Sequence, residues 1–239
     1  MRQNGLIITG QVDGSTGPVV ILMSGLDEPH ESWRAVAPTI ARCARVLRYD
    51  RPGTGGSKPV PKAPVLAQRV ASELMDILRA LTLPPPYVLV AHSIAGLYAQ
   101  AFAKDYPQET AGMVLVDATS PLEPPGVFIS TQPPPEGSTA AMEEAGVSSS
   151  ILALNTRRDF ADIPLIVLAA TDHQDTPDRE RLWLDLQRRT AMLSPRGKLV
   201  IAQGSGHFIQ ADRPELVIDA VLDLLTMTGA SVSGCSTLQ

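Results

Sequence analysis

The stretch Ala91-His92-Ser93-Ile94-Ala95-Gly96 lies between an apolar run at 87–90 and a helix-patterned segment reaching Tyr106, and no other feature constrains the chain as strongly. A strand-length apolar run that passes at once into small residues and a helix specifies a sharp strand-to-helix turn with a serine at its apex. Such a turn lifts the Ser93 hydroxyl clear of the sheet. The N–H of the next residue, Ile94, points into the space where an attacked carbonyl oxygen would gather charge. The turn closes only if the residues two before and two after the serine are small, because the backbone packs against itself there. Ala91 and Ala95 meet that need, although the usual pattern, Gly-x-Ser-x-Gly, has glycine at both places and this chain keeps one only at Gly96. A serine ahead of a helix is also what a plain tight turn or N-cap looks like, so its context decides its meaning.

That context alternates strand and helix. Runs rich in Val, Ile and Leu at 6–12, 19–23, 44–49, 87–90, 112–116, 165–169 and 198–202 read as strands, and the segments 32–42, 65–81, 97–105, 179–193 and 214–227 read as helices. This is the pattern of a mostly parallel central sheet with helices on both faces, an α/β fold. Val70, Leu74, Ile77, Leu78 and Leu81 recur at helical spacing, so the second helix buries one face on the sheet. Between Ala118 and Ile163 the alternation stops and Pro, Ser and Glu take over. An irregular stretch of that length inside a compact domain reads as a small cap at about 119–162, with helices at 139–145 and 149–156. Residues 229–239 read as a frayed tail.

At 239 residues, 44% hydrophobic and 19% charged, the chain fits a single domain over 1–239 with a sizeable core. A net charge of −5 without a Lys/Arg cluster argues against nucleic acid or an anionic membrane as partner. No apolar run approaches the roughly 20 residues of a membrane span, and the first ten residues lack the pattern of a secretion signal. A cytoplasmic protein, monomeric or weakly self-associating, is the expectation. Cys43 and Cys235 fall at the end of a helix candidate and in the tail, and imply no disulfide framework.

If Ser93 is a nucleophile it needs a base. Gly204-Ser205-Gly206-His207-Phe208 supplies a histidine just after the strand at 198–202, and neutral imidazole can take a serine proton and return it near pH 7. With these residues in place the chain resembles the α/β-hydrolase-fold serine hydrolases. Asp50-Arg51-Pro52-Gly53-Thr54-Gly55-Gly56-Ser57 matches that family's Asp-x-x-Gly-x-Gly-x-Ser loop, and the three motifs stand in family order from residue 19 to 225. The family's His-Gly motif appears here as Ser24-Gly25-Leu26, without its histidine. By resemblance the N–H groups of Leu26 and Ile94 form the oxyanion hole. The loss of the histidine then bears on loop support rather than on the backbone donors.

The resemblance also calls for a carboxylate to orient His207, and two strand ends offer one. Asp172 follows the strand at 165–169, where the family most often puts its acid, and is preferred. Asp117, at the end of the strand at 112–116, is the alternative, and its bland reading is a strand-end residue capping a loop. Gly25, His92 and Phe208 are the candidate substrate contacts. Leu26, Pro29, Phe128, Ile129, Leu152, Leu154, His30 and Trp33 are candidate lining. His30, His92, His173 and His207 show no metal-ligand spacing, and no metal or cofactor is expected. The glycines at 53–56 match neither a dinucleotide nor a P-loop pattern.

The resemblance thus implies a carboxylesterase-like serine hydrolase that cleaves esters of small molecules through an acyl-enzyme. The alternatives are a catalytically weak ligand-binding protein or receptor on the same scaffold, and a cofactor-free perhydrolase, C–C hydrolase or lyase with similar residues.

Overall fold

In the computed structural model the described residues are all but 1, 4, 125, 129–132, 157–159, 161 and 236–239. Strands β1 (Arg2–Gln3) and β2 (Leu6–Ile7) pair as a separate two-stranded sheet. The main sheet takes β3 (Gly10–Asp13), β4 (Val19–Met23), β5 (Arg45–Tyr49), β6 (Tyr87–His92), β7 (Thr110–Val116), β8 (Leu165–Ala170) and β9 (Gly197–Ala202) in the order β3-β5-β4-β6-β7-β8-β9. Within the main sheet, among the described residues, only β3 runs antiparallel to its neighbour; the other pairings there are parallel. Val, Ile, Leu and Met fill β4 on both faces, and all five of its residues are buried, as expected where helices cover a parallel sheet on both sides.

Helices α1 (Ala37–Ile40), α2 (Ala67–Ala80), α3 (Ala95–Asp105), α4 (Thr139–Asn155), α5 (Pro177–Ala191), α6 (Ile209–Asp212) and α7 (Pro214–Met227) complete the fold. One apolar cluster joins α2 and α3 to one face of the sheet through Leu74, Leu78, Leu97 and Phe102. A second joins α1 and α7 to the other face through Ile40, Val221 and Leu224.

Several expectations are corrected. The strand foreseen at 6–12 divides into β2 and β3, which belong to different sheets. The helix foreseen at 32–42 is a 3-10 turn at His30–Trp33 and the single turn α1, because Pro38 inside that span has no N–H for a continuous helix. Among its described residues the cap carries one helix, α4, where two were expected. Gly146 lies inside it because a Cβ there would stand 1.9 Å from the Val65 carbonyl oxygen. Close packing on the start of α2 overrides glycine's poor helix propensity, with Val65 N–H donating to Met142 O at 2.8 Å and Ala67 N–H to Ser150 Oγ at 3.0 Å. The segment expected to fray is tied down as far as Cys235, which sits in a 3-10 turn at Ser233–Cys235 and is disulfide-bonded to Cys43. Disulfides persist mainly in oxidising compartments, so this bond lends the cytoplasmic expectation no support. Among the described residues no helix is long and apolar enough to cross a membrane.

Candidate active site

Ser93 stands where β6 passes into α3, with φ of +55°, a left-handed conformation that a residue other than glycine adopts only when its surroundings hold it there. Three backbone bonds do so: Ser93 N–H donates to Val116 O at 3.2 Å, and Ser93 O accepts from Gly96 N–H and Thr119 N–H, both at 3.0 Å. The turn is therefore stitched to the end of the neighbouring strand β7. Gly96 is required by the same closeness, because a Cβ there would lie 2.5 Å from Ala118 Cβ. Ala91 and Ala95 are fully buried.

His207 enters from the loop after β9, and its Nε2 lies 3.0 Å from Ser93 Oγ. Its Nδ1 lies 2.7 Å from Asp117 Oδ2. The preference for Asp172 is thus corrected: the carboxylate that meets His207 is Asp117. Asp117 follows β7 directly, with φ of +43°, and its N–H donates to Leu168 O at 2.8 Å. Its carboxylate, fully buried, comes to lie between the β7 and β8 ends. Asp172 is exposed and serves the site only through its backbone, its N–H donating to Ser205 O at 3.1 Å and so bracing the His207 loop. Consecutive residues of an extended chain point to opposite sides. At this strand end it is His173 that turns inward and Asp172 that faces water.

Asp117 carries an unusual load. Its Oδ1 accepts from Ala170 N–H at 2.9 Å and Trp183 Nε1–H at 2.8 Å, while Oδ2 faces both His207 Nδ1 and, also at 2.7 Å, His173 Nε2. Burial pushes the Asp117 carboxyl up, but hydrogen bonds from His173 and His207 outweigh it and hold the group far below the usual carboxylate range. His173 is clamped from behind by Glu180, whose Oε2 lies 2.8 Å from Nδ1 and whose Oε1 accepts the His173 N–H at 2.8 Å. Burial opposes the His173 charge, yet Asp117 and Glu180 together raise its pKa from 6.5 to about 9. A raised pKa contributes stability that is complete below 6.5 and is lost as pH rises through about 9. The thermal midpoint is therefore expected to fall between pH 7 and pH 10 and to fall less in His173→Gln; equal slopes in the two proteins would contradict this.

The oxyanion candidates flank Ser93. Leu26 and Ile94 both line the cavity beside it, and among the described residues neither backbone N–H has an acceptor. The Leu26 loop is held by a residue to which motif reading gave no role. Arg51, buried, donates from Nη1 to Ser24 O at 2.5 Å and from Nη2 to Gly25 O at 2.7 Å, while its Nε and Nη2 reach Glu143 of α4 at 2.5 and 3.0 Å. The cap helix is thereby tied to the backbone just before Leu26. Glu143→Ala leaves the guanidinium buried without its counter-ion and is expected to cost about 3 kcal/mol. Urea unfolding reads this, and a change within about 0.5 kcal/mol, the size of a neutral surface substitution, would contradict it.

The remaining candidates divide. Gly25, His92 and Phe208 do not line the cavity. Gly25 has no room for a side chain, since a Cβ would meet His92 Nδ1 at 2.8 Å. His92, fully buried, spans Glu28 Oε2 at 3.1 Å and the His207 carbonyl at 2.9 Å, and so supports the His207 loop. Phe208 is half exposed and stacks near His92 and His207. Of the lining candidates, Leu26 and Phe128 face the cavity; Pro29 and Leu152 do not, and Leu154 and Trp33 are core. Ile129 lies outside the described residues. His30 pairs with Asp50 at 2.8 Å. In the loop that follows, Asp50 Oδ2 accepts from Gly56 N–H at 3.0 Å, so these glycines build a turn.

The cavity has a volume of about 640 Å³ and opens over Ser93 and His207, between α4, α5 and residues that include Thr119, Glu123, Pro124, Phe128 and Pro133. Its wall is mostly apolar, from Leu26, Ile94, Phe128, Val147, Ile151 and Trp183, with Glu123, Glu144, Arg179 and His173 among its polar groups. Burial raises Glu123 to about 7. Asp117, His173 and His207 bring three potential metal-ligand atoms within 4.8 Å of one another, as do His30, Glu31 and Asp50. In both groups the side chains already engage one another.

Comparison with known proteins agrees with this architecture. The sequence profile of the family described as "alpha/beta hydrolase fold" matches residues 18–145. The uncharacterized protein YqjL of Bacillus subtilis (strain 168) is 27% identical over 215 residues, 88% of this chain and 85% of that one. An alpha/beta hydrolase fold protein from Burkholderia ambifaria superposes with a TM-score of 0.76 at 21% identity, covering 93% of this chain and 96% of that one. A thermophilic esterase from Thermogutta terrifontis does so with a TM-score of 0.71 at 22% identity, covering 95% and 96%. At these identities the two structures speak for the fold alone.

Proposed function

Because the chain belongs to the alpha/beta hydrolase fold family, we propose that it is a serine hydrolase that cleaves carboxylic esters or related acyl bonds of small molecules through Ser93, His207 and Asp117. The observation that carries this reading is the unbroken path from Ser93 Oγ to His207 Nε2 at 3.0 Å and from His207 Nδ1 to Asp117 Oδ2 at 2.7 Å. His207 accepts the serine proton as Ser93 attacks the carbonyl, and Asp117 holds the imidazole in the tautomer that leaves Nε2 free. Charge on the carbonyl oxygen is met by the N–H groups of Leu26 and Ile94, fixed donors that need no reorganisation as the charge develops. The proton passes from His207 to the leaving alcohol, and water, activated by the same imidazole, releases the acid from the acyl-enzyme.

The cavity of about 640 Å³ with its mostly apolar wall suits small to medium acyl and alkyl groups. A panel of p-nitrophenyl esters from acetate to octanoate tests the reading. Turnover is expected across the shorter members, with a preference set by chain length. Absence of turnover on esters, lactones and amides alike would overturn it.

A further inference from the structure

We propose that His173 is a second imidazole on the acid of this site, a positioning residue that draws on the charge of Asp117, is kept cationic by Glu180, and thereby lets His207 remain a free base to lower pH. The inference rests on the proposed roles of Ser93 and His207 only for its kinetic consequence; the charge coupling itself is a matter of geometry.

Proton counting sets it up. For His207 Nε2 to accept from Ser93, its proton must sit on Nδ1, which then donates to Asp117 Oδ2 at 2.7 Å. His173 presents Nε2 to that same oxygen at 2.7 Å and Nδ1 to Glu180 Oε2 at 2.8 Å. An ionised carboxylate only accepts, so with both carboxylates ionised both ring nitrogens of His173 carry protons and the ring is an imidazolium. The Glu180 clamp on both the ring and the backbone N–H of His173 fixes that orientation. With Ala170 and Trp183 on Oδ1, the roughly four lone-pair positions of Asp117 are all taken.

The consequence falls on His207. Protonated His207 would gain stabilisation from Asp117, but that negative charge is already shared with a cation whose ring centroid lies 6.2 Å away. A like charge at this range disfavours protonation. Among the described residues the other groups facing His207 are Ser93, the His92 ring at 4.7 Å with Glu28 beyond it, and the uncharged rings of Phe208 and Trp183. His173 faces Asp117 and Glu180, with Asp175 and its partner Arg179 further out. Of these, only His173 bonds to the atom that His207 itself uses.

The test is the titration of the His207 Cε1 proton by NMR in the substrate-free protein, with the resonance assigned by its loss in His207→Gln. In His173→Gln, which keeps a donor toward Asp117 but removes the charge, the His207 midpoint is expected to rise by about 1 pH unit. The acid limb of kcat/KM for an ester substrate is expected to rise with it. An unmoved midpoint, with turnover reduced equally at all pH values, would show His173 to be packing only and overturn the proposal. Should His173→Gln fail to fold, the wild-type protein still decides: His173 is expected to keep its proton at pH 8, and titration near the ordinary histidine value of about 6.5 would refute its cationic role. Absence of ester turnover with a shifted midpoint would instead count against the proposed function and leave the coupling standing.

Discussion

Asp117→Asn is expected to lower kcat by about 10⁴, the size of loss that follows when the orienting acid can no longer hold the correct imidazole tautomer. The amide presents its NH₂ group or its oxygen to His207 without the negative charge that stabilises the imidazolium. It also faces His173, Trp183 and the Ala170 N–H, all of which donate to the native carboxylate. Asp172→Asn is expected to leave kcat within a few-fold, because that side chain is exposed and its contribution to the His207 loop is a backbone N–H that asparagine retains. Steady-state kinetics on one ester read both variants. The opposite ranking would return the acid to the end of β8.

Ser93→Ala is expected to lose more, about 10⁶ in kcat, since it removes the proposed nucleophile while leaving the cavity and the proposed oxyanion donors in place. Ser93 sits at a φ of +55° that three backbone bonds impose, and alanine meets the same constraint there, so the loss will not be accompanied by a rearranged turn. KM is expected to change little, because cavity contacts outside Ser93 bind the ester. A residual rate within about tenfold of wild type would mean that another residue carries the chemistry.

How far the chain could be read in advance follows from what kind of signal each feature carries. β4, β6 and the strand-to-helix turn at Ser93 were legible because local pattern and tertiary environment agree: continuous apolar runs for a sheet covered on both faces, small residues where the turn closes. His207 was legible because glycines bend the chain there after a strand. Asp117 and Asp172 both follow strands, and spacing alone does not say which carboxylate turns inward. That depends on backbone conformation at single residues, φ of +43° at Asp117 and an outward side chain at Asp172. His173, Glu180, Arg51 and Glu143 were not singled out for the site, as their partners lie on other elements and carry no local periodicity. The alternation at a strand end was a usable clue, since an inward His173 requires an outward Asp172. The Cys43–Cys235 bond spans a sequence separation of 192 residues and could not be read from two isolated cysteines. The helices expected at 139–145 and 149–156 are one, α4, whose Gly146 lies against the Val65 backbone, a long-range contact that carries no local signal.

The central claim, that Ser93 is a nucleophile served by His207 and Asp117, is tested most directly by exposing the protein to a fluorophosphonate probe and locating the adduct by peptide mass spectrometry. One adduct on Ser93 is predicted, slowed greatly in Asp117→Asn and absent in Ser93→Ala. Labelling at another residue, or ester turnover that persists in Ser93→Ala without any adduct, would contradict the account.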